Sequence, residues 1–429
     1  MSALISINDN NILIQQGDRI SSTQGFAWLQ GDEVVFDFDA QNTAVKACRL
    51  QPLQVHNRYW QQCAQTSVAV SNKNVRNSAD LIWQHLSSIK RNNDFDAAVF
   101  IVPSHYQSDN LQLLLGIASA AGIESRGLVN KAVVITQHCA RSDGKYIHID
   151  VQLHQTVCSW VEVLNGVARL QDVDVLVDVS IQGIQDALLK FMQQSFIQGD
   201  RFDPLHYAAT EQQLFDQLLP TAQSLGNDGK AMVVVQHSTH SYNIAIDNSQ
   251  WNSVVKPFAD AIFALAEKSP SAPFLLQLNN LFGGAACGAF DRDAVIVVDD
   301  ALPIKSDLSG LASDGEDGLA YKLELPLLQL KEVVSNKLAV PLSKSPDINS
   351  TDVTHLVQNG LAVPLKHALL SLENGQLSLT YGPSSNVATL LSKQHVFILS
   401  DATRLNLQLN DRVGSNHVDG VLTAIRVME

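Results

Sequence analysis

The chain has 429 residues, of which 45% are hydrophobic and 17% charged, and its formal net charge is −14. That length exceeds what one hydrophobic core serves and implies two or three domains. The acidity argues against nucleic acid or an anionic membrane as the main partner, because both require a basic surface.

The 5 cysteines (Cys48, Cys63, Cys139, Cys158 and Cys287) are scattered, odd in number and without CxxC spacing. They predict neither a disulfide framework nor a zinc site, and they fit a reducing, cytoplasmic setting. The start of the chain, MSALISINDNN, has neither the basic nor the apolar region of a signal peptide. No apolar run approaches the roughly 18 residues of a membrane span, so none is expected.

In chain order, Ala3–Ile7, Asn11–Gln16, Gly25–Leu29 and Val34–Phe38 are short apolar runs separated by Asp-Asn, Gly-Asp and Gly-Asp turns. They read as a meander of hairpins. Asn42–Leu53 has no decisive pattern. Asp80–Ile89 reads as a helix, with Leu81, His85 and Leu86 on one face and Asn77 and Ser78 before it. Ala97–Val102 is a buried-type strand. Ser108 is placed to cap a following helix, on which Leu111, Leu114, Leu115, Ala118 and Ala121 share a face and Gly122 suits a left-handed end.

Ala132–Gln137, Lys145–Val151, Val157–Leu164 and Val167–Val177 read as a second series of short strands. Asn165-Gly166 marks a hairpin. Helices are expected over Ser180–Phe196 and Glu211–Leu225, a hairpin over Ala231–His237 and Ser241–Ile246, and an Asn248-capped helix over Trp251–Lys268. Phe274–Leu278 and Ala294–Val298 are expected strands on either side of Asn279–Phe290, a loop and small-residue helix. Ile304–Asp317 reads as a linker, with or without a short helix. Beyond it, short β-type runs such as Leu361–Leu372, Gln376–Tyr381, Val387–Leu391, Val396–Leu399, Leu405–Leu409 and Val421–Val427 predominate. A meander followed by helix and strand thus occurs twice, as an internal structural repeat.

The segment IVPSHYQSDNLQLLLGIASAAGIESRGLVNKAVV carries the most specific likeness. It resembles the part of heat-shock protein 70 ATPase domains with a Val-Pro turn, a helix ending Ala-Gly-(Ile/Leu), and an Asn-Glu-Pro joint. Val102, Pro103, Gly116, Ala120, Ala121, Gly122, Ile123 and Asn130 fall on like positions. The order of elements agrees from about residue 2 to about residue 315. The resemblance implies an α/β fold with a duplicated ribonuclease-H-like core of the actin and heat-shock-70 ATPase type. Its halves would be 1–143 and 144–318, and a β-rich C-terminal domain would span 319–429.

The same resemblance implies a cleft for ATP and magnesium, and the departures from it bear on function. Such ATPases hold phosphate on two Gly/Thr-rich hairpins, each beginning with an Asp, because glycine lets backbone N–H groups approach an anion. The first hairpin here is SINDNNI, which keeps Asp9 and Asn10 but has no Gly or Thr. The second is HIDVQLHQTV, which keeps Asp150 and Thr156 but carries Val151, Gln152, Leu153 and His154 where glycines belong. At the Asn-Glu-Pro joint, Lys131 follows Asn130, so a cation replaces the acid that orients magnesium or water. Gly283 and Gly284 are the only remnant of an adenosine loop.

The resemblance with these departures implies a pseudo-ATPase with weak or no ATP hydrolysis, its binding of nucleotide and magnesium lost or non-hydrolytic, acting as a chaperone-like or scaffolding module on a protein partner. Related scaffolds of pilus or division type recruit membrane complexes, but no basic amphipathic tail supports that here. The competing reading is a working ATPase or kinase with unorthodox phosphate loops; Lys131, more simply a turn lysine, could also hold a phosphate in the cleft without hydrolysing it. Cofactor-binding candidates are therefore Asp9, Asn10, Lys131, Asp150, Thr156, Gly283 and Gly284. No catalytic residue and no metal ligand is assigned. Weaker candidates read more simply as structure. These are Cys287 in a small-residue helix, His237 and His240 in a hairpin turn, His148 and His154 on one strand face with Asp150, and Asp299-Asp300 at a strand end.

Overall fold

In the computed structural model the described residues are 2–38, 43–140, 142–266, 274–277, 295–298, 308–312 and 319–328, with short strands between 355 and 425. Residues 1–332 form one compact unit and 333–429 another.

The first unit is mixed α/β. Its meander is β1 (Ser2–Ser6), β2 (Asn11–Gln16), β3 (Arg19–Gln30) and β4 (Glu33–Phe38). The stretch without a decisive pattern forms α1 (Thr43–Ala47), and β5 (Val55–His56) and α2 (Tyr59–Gln62) follow it. A small hairpin, β6 (Ser67–Asn72) with β7 (Val75–Asn77), leads into α3 (Ser78–Asn93). Asn77 caps α3 by accepting the Asp80 N–H at 3.1 Å.

Strand β8 (Ala97–Val102) is buried at every residue, as suits an interior parallel strand. Helix α4 (Ser108–Ala120) has Gln107, not Ser108, at its N-cap. The Asn110 side chain reaches back to the Gln107 N–H at 2.9 Å and leaves Ser108 in the first turn. Gly122 has a φ of 72°, the left-handed ending expected there.

The next elements depart from the expected strands. The strand is β9 (Glu124–Asn130), and the apolar run after it is a helix, α5 (Lys131–Cys139). Asn130 caps it, its Oδ1 accepting the Ala132 N–H at 2.9 Å. Helix α5 lies between two sheets and is buried on nearly every side. No polar stripe interrupts its sequence, and periodicity cannot separate such a helix from a buried strand.

The second meander is β10 (Gly144–Val151), β11 (Thr156–Leu164) and β12 (Val167–Leu176). Asn165 and Gly166 take positive φ values of 52° and 72° in its Asn-Gly turn. Helix α6 (Ile181–Asp200) follows, capped by Ser180. The single helix expected over Glu211–Leu225 is two, α7 (Ala208–Asp216) and α8 (Leu218–Asp228). Pro220 stands in the first turn of α8, where its missing N–H costs nothing but where a continuing helix would be broken. The hairpin β13 (Lys230–His237) and β14 (His240–Asp247) leads to α9 (Asn248–Ala266). Asp247 rather than Asn248 caps α9, accepting the Gln250 N–H at 2.9 Å. Then come β15 (Phe274–Gln277), β16 (Val295–Val297), α10 (Leu308–Leu311), β17 (Tyr321–Lys322) and β18 (Glu324–Pro326).

Two main sheets result. One runs β17-β9-β8-β1-β2-β3-β4, with β5 beside β3, and the other β16-β15-β10-β11-β12-β18. Each has an antiparallel meander whose first strand pairs in parallel with a later strand: β1 with β8, and β10 with β15. One core lies under α2, α3 and α4, a second under α6, α8 and α9, and a third around α5 between the sheets.

The expected domain start at 319 does not coincide with the division. Residues 321–322 extend the first sheet through β9, and 324–326 extend the second through β12. The division falls after Glu332. The second unit contains antiparallel strands β19 (His355–Gln358), β20 (Leu361–Pro364), β21 (Ala368–Glu373), β22 (Gln376–Tyr381), β23 (Ala388–Ser392), β24 (His395–Leu399), β25 (Arg412–Val413) and β26 (Leu422–Ile425). Its β-rich character follows the sequence pattern. The expected strand Leu405–Leu409 lies outside the described residues.

Candidate functional site

The tips of the two meanders face each other. The β1–β2 tip, Ile7–Asn10, carries Asp9, which is 2% exposed. The β10–β11 tip, Gln152–Gln155, is a tight turn closed by the Gln152 N–H on the Gln155 carbonyl at 2.8 Å. Asp9 Oδ1 accepts the Leu153 N–H at 2.7 Å, and Oδ2 accepts the His154 N–H at 3.2 Å. The carboxylate of one tip thus takes the backbone donors of the other. Gly25 makes room for this approach: a Cβ there would lie 1.8 Å from the Asp9 carbonyl oxygen.

Lys131 and Asp150 form a buried ion pair beside this contact, Nζ to Oδ1 at 2.9 Å, with side chains 4% and 3% exposed. Lys131 is the first residue of α5, where the helix dipole disfavours a cation, and Asp150 supplies the compensating charge. The same Oδ1 accepts Asn8 Nδ2 at 3.2 Å, and Oδ2 accepts Gln152 Nε2 at 2.8 Å. Burial pushes the Asp150 carboxyl up, but the Lys131 and His148 charges and these bonds outweigh it and hold the group below its usual range. Among the described residues no cation is in contact with Asp9, although the Lys131 charge lowers its pKa somewhat. Burial, reinforced by the Asp150 charge and opposed by its two N–H bonds, raises its pKa to about 7.

The rest of the second tip is tied into the first half. His154 Nε2 lies 3.1 Å from the Asn57 carbonyl oxygen, and burial pushes the imidazole down to about 4. Gln155 Nε2 lies 2.9 Å from His105 Nε2, and Gln155 Oε1 accepts Gln61 Nε2 at 3.2 Å. At the outer end of the cleft, Arg49 crosses to Asp186 at 2.6 Å and Glu211 at 3.3 Å. Its guanidinium lies 5.0 Å from the Phe215 ring centroid.

Of the predicted site residues, Asp9, Asn10, Lys131 and Asp150 come together. Asn10 bonds through its N–H to Asn8 Oδ1 at 2.9 Å and lines a small cavity with Ser6, Asn8 and Lys131. Thr156 is not part of a binding surface. It is fully buried, and its hydroxyl donates to the Val179 carbonyl at 2.8 Å. Gly283, Gly284, Cys287, Asp299 and Asp300 lie outside the described residues. His237 stacks on Tyr207 at 4.4 Å, away from the cleft. Sequence reasoning missed Asn8, Asn57, Gln61 and His105, whose spacing carries no motif.

The cavity is about 20 Å³, close to the room one water molecule needs. In this arrangement the tip donors are taken by Asp9 and the Lys131 ammonium by Asp150. Among the described residues, no group of three or more His, Cys, Asp or Glu could hold a metal ion. Nor is any helix among them long and apolar enough to cross a membrane. Cys48 and Cys63 are free thiols. Searches of protein families and of curated proteins find no match to this chain, and the geometry of the cleft stands as the ground for any reading of function.

Proposed function

We propose that the protein is a pseudo-ATPase: a duplicated ribonuclease-H-like core of the actin and heat-shock-70 type whose cleft is latched from within. It acts in the cytoplasm as a chaperone-like or scaffolding module that binds a protein partner. Two sheets of like strand order support the duplicated core. The observation that carries the functional reading is the Asp9 carboxylate on the Leu153 and His154 N–H groups. An internal carboxyl group occupies the donors that the resemblance would give to phosphate, and the Lys131–Asp150 pair neutralises the acid that would serve magnesium.

The test is thermal unfolding of the full chain with magnesium-ATP, with ADP and without ligand. A ligand at a hundred times its dissociation constant stabilises by about 2.7 kcal/mol. No shift is expected, together with specific co-purification of one protein partner. A magnesium-dependent shift would sink the reading in favour of a nucleotide-using enzyme.

A further inference from the structure

The β13–β14 ribbon stands apart from both main sheets, so each of its strands is an edge. The two edges are treated differently. On β13, Gln217 Nε2 donates to the Val234 carbonyl at 2.7 Å while its Oε1 accepts the Val234 N–H at 3.0 Å. Gln213 does the same for Gln236, at 3.0 and 2.8 Å. One turn apart on the α7–α8 segment, these two primary amides imitate a neighbouring strand and close that edge.

The β14 edge has no such cover. Val234 pairs with Asn243, Gln236 with Ser241 and Met232 with Ala245. Val234 and Gln236 turn their backbone groups to the glutamines, so these are non-hydrogen-bonded pairs of the ladder. Ser241, Asn243 and Ala245 therefore point their N–H and C=O groups away from β13. All three are exposed, and among the described residues none of these backbone groups has a partner. The run Ser241–Ala245 contains no charge and no proline, the usual protections of a free edge. Its inward residues Ile244 and Ile246 are buried under α6 and α9.

We infer that β14 pairs with β14 of a second copy of this chain, antiparallel about a twofold axis at Asn243. In that register Ser241 opposes Ala245, small against small, and Asn243 opposes Asn243, whose side-chain amides can bond each other across the axis. The exposed face of Met232 (62%) and Val234 (37%) then continues across a four-stranded sheet. A foreign peptide would need pockets for alternate side chains to be recognised, whereas the outward residues of β14 itself, Ser241, Asn243 and Ala245, are short. At −14 per copy the two chains repel at long range, so salt strengthens the pairing.

The test measures the mass of the full chain in solution against concentration and salt, alongside two variants. A dimer favoured by salt is expected. Asn243→Pro removes an N–H that the hairpin does not use, so it should return the mass to that of a monomer while the circular dichroism spectrum is retained. Asn243→Cys should crosslink to a dimer under mild oxidation, because opposed residues in such a pair have Cα atoms about 5.5 Å apart. Met232→Cys, equally exposed but a strand further from the axis, should not. A monomer at about 100 μM in high salt, or a dimer in which Asn243→Cys fails to crosslink, overturns the inference. The crosslinking arm decides the matter even if the proline variant misfolds.

Discussion

The tips of the two meanders occupy the same place in two sheets of like strand order, yet their chemistry is opposite. The β1–β2 tip presents an acceptor, the Asp9 carboxylate, and the β10–β11 tip presents donors, the Leu153 and His154 N–H groups. Two equivalent turns facing a ligand would both need donors. Here one is the complement of the other, so the Asp9 carboxyl and the two N–H groups satisfy each other. Buried polar groups must be paired, and this pairing couples the two halves.

Breaking the charge pair next to the tips should have the largest effect. Lys131→Met leaves the Asp150 carboxylate buried without its cation and should cost about 3–5 kcal/mol in denaturant unfolding. Adding Asp150→Leu should recover most of that loss, since a well-packed apolar pair often replaces a buried ion pair without net cost.

Gly25→Ala drives a Cβ into the Asp9 backbone and should cost about 3 kcal/mol. If unfolding shows less than about 1 kcal/mol, the tip is not held as tightly as its geometry requires.

Asp9→Ala strips the acceptor from two buried N–H groups and should cost about 2 kcal/mol. Asp9→Asn keeps one acceptor oxygen and should lose less. Equal losses would mean that the second hydrogen bond contributes nothing.

The smallest effect is in pH dependence. The fold holds the Asp9 proton up to about pH 7, whereas the unfolded chain releases it near 3.8. The folded state therefore binds more protons between those values, and this group's contribution to stability falls as pH rises through that window. His154 works the other way. Its imidazole is pushed down to about 4 from 6.5, so its contribution is lost as pH falls through that range. The difference in stability between wild type and Asp9→Asn isolates the carboxyl and should decline from pH 4 to pH 7. A flat difference would show that Asp9 titrates as an ordinary carboxyl.

Much of the fold was legible because local patterns and tertiary needs coincide. Ala97–Val102 reads as an interior strand because every residue in it is apolar, and Asn165-Gly166 reads as a turn because both residues must take positive φ. The misreadings have physical causes. Ala132–Gln137 was expected as a strand, but a helix buried between two sheets has no polar face to mark its period. The expected single helix over Glu211–Leu225 ignores Pro220, which begins a new one.

The candidate site divides in the same way. Asp9, Asp150 and Lys131 were singled out by the resemblance, as the Asp of each hairpin and the cation after Asn130. That Thr156 serves only the Val179 carbonyl was not legible, because a hydroxyl's partner depends on what packs beside it. The residues that close the cleft, Asn8, Asn57, Gln61 and His105, come from separate stretches of chain and share no spacing.

By itself, then, the sequence determined the alternation of strands and helices, the acidic charge, and the side chains that replace glycine in the second tip. Those properties depend on neighbours in the chain. Tertiary structure alone decided that Asp9 would meet the Leu153 and His154 donors, that Lys131 would neutralise Asp150, and that Gln213 and Gln217 would seal β13 while β14 stays open. Each of these joins groups far apart in sequence or on different elements, and hydrogen bonds and ion pairs form only where folding brings such groups within about 3 Å of each other.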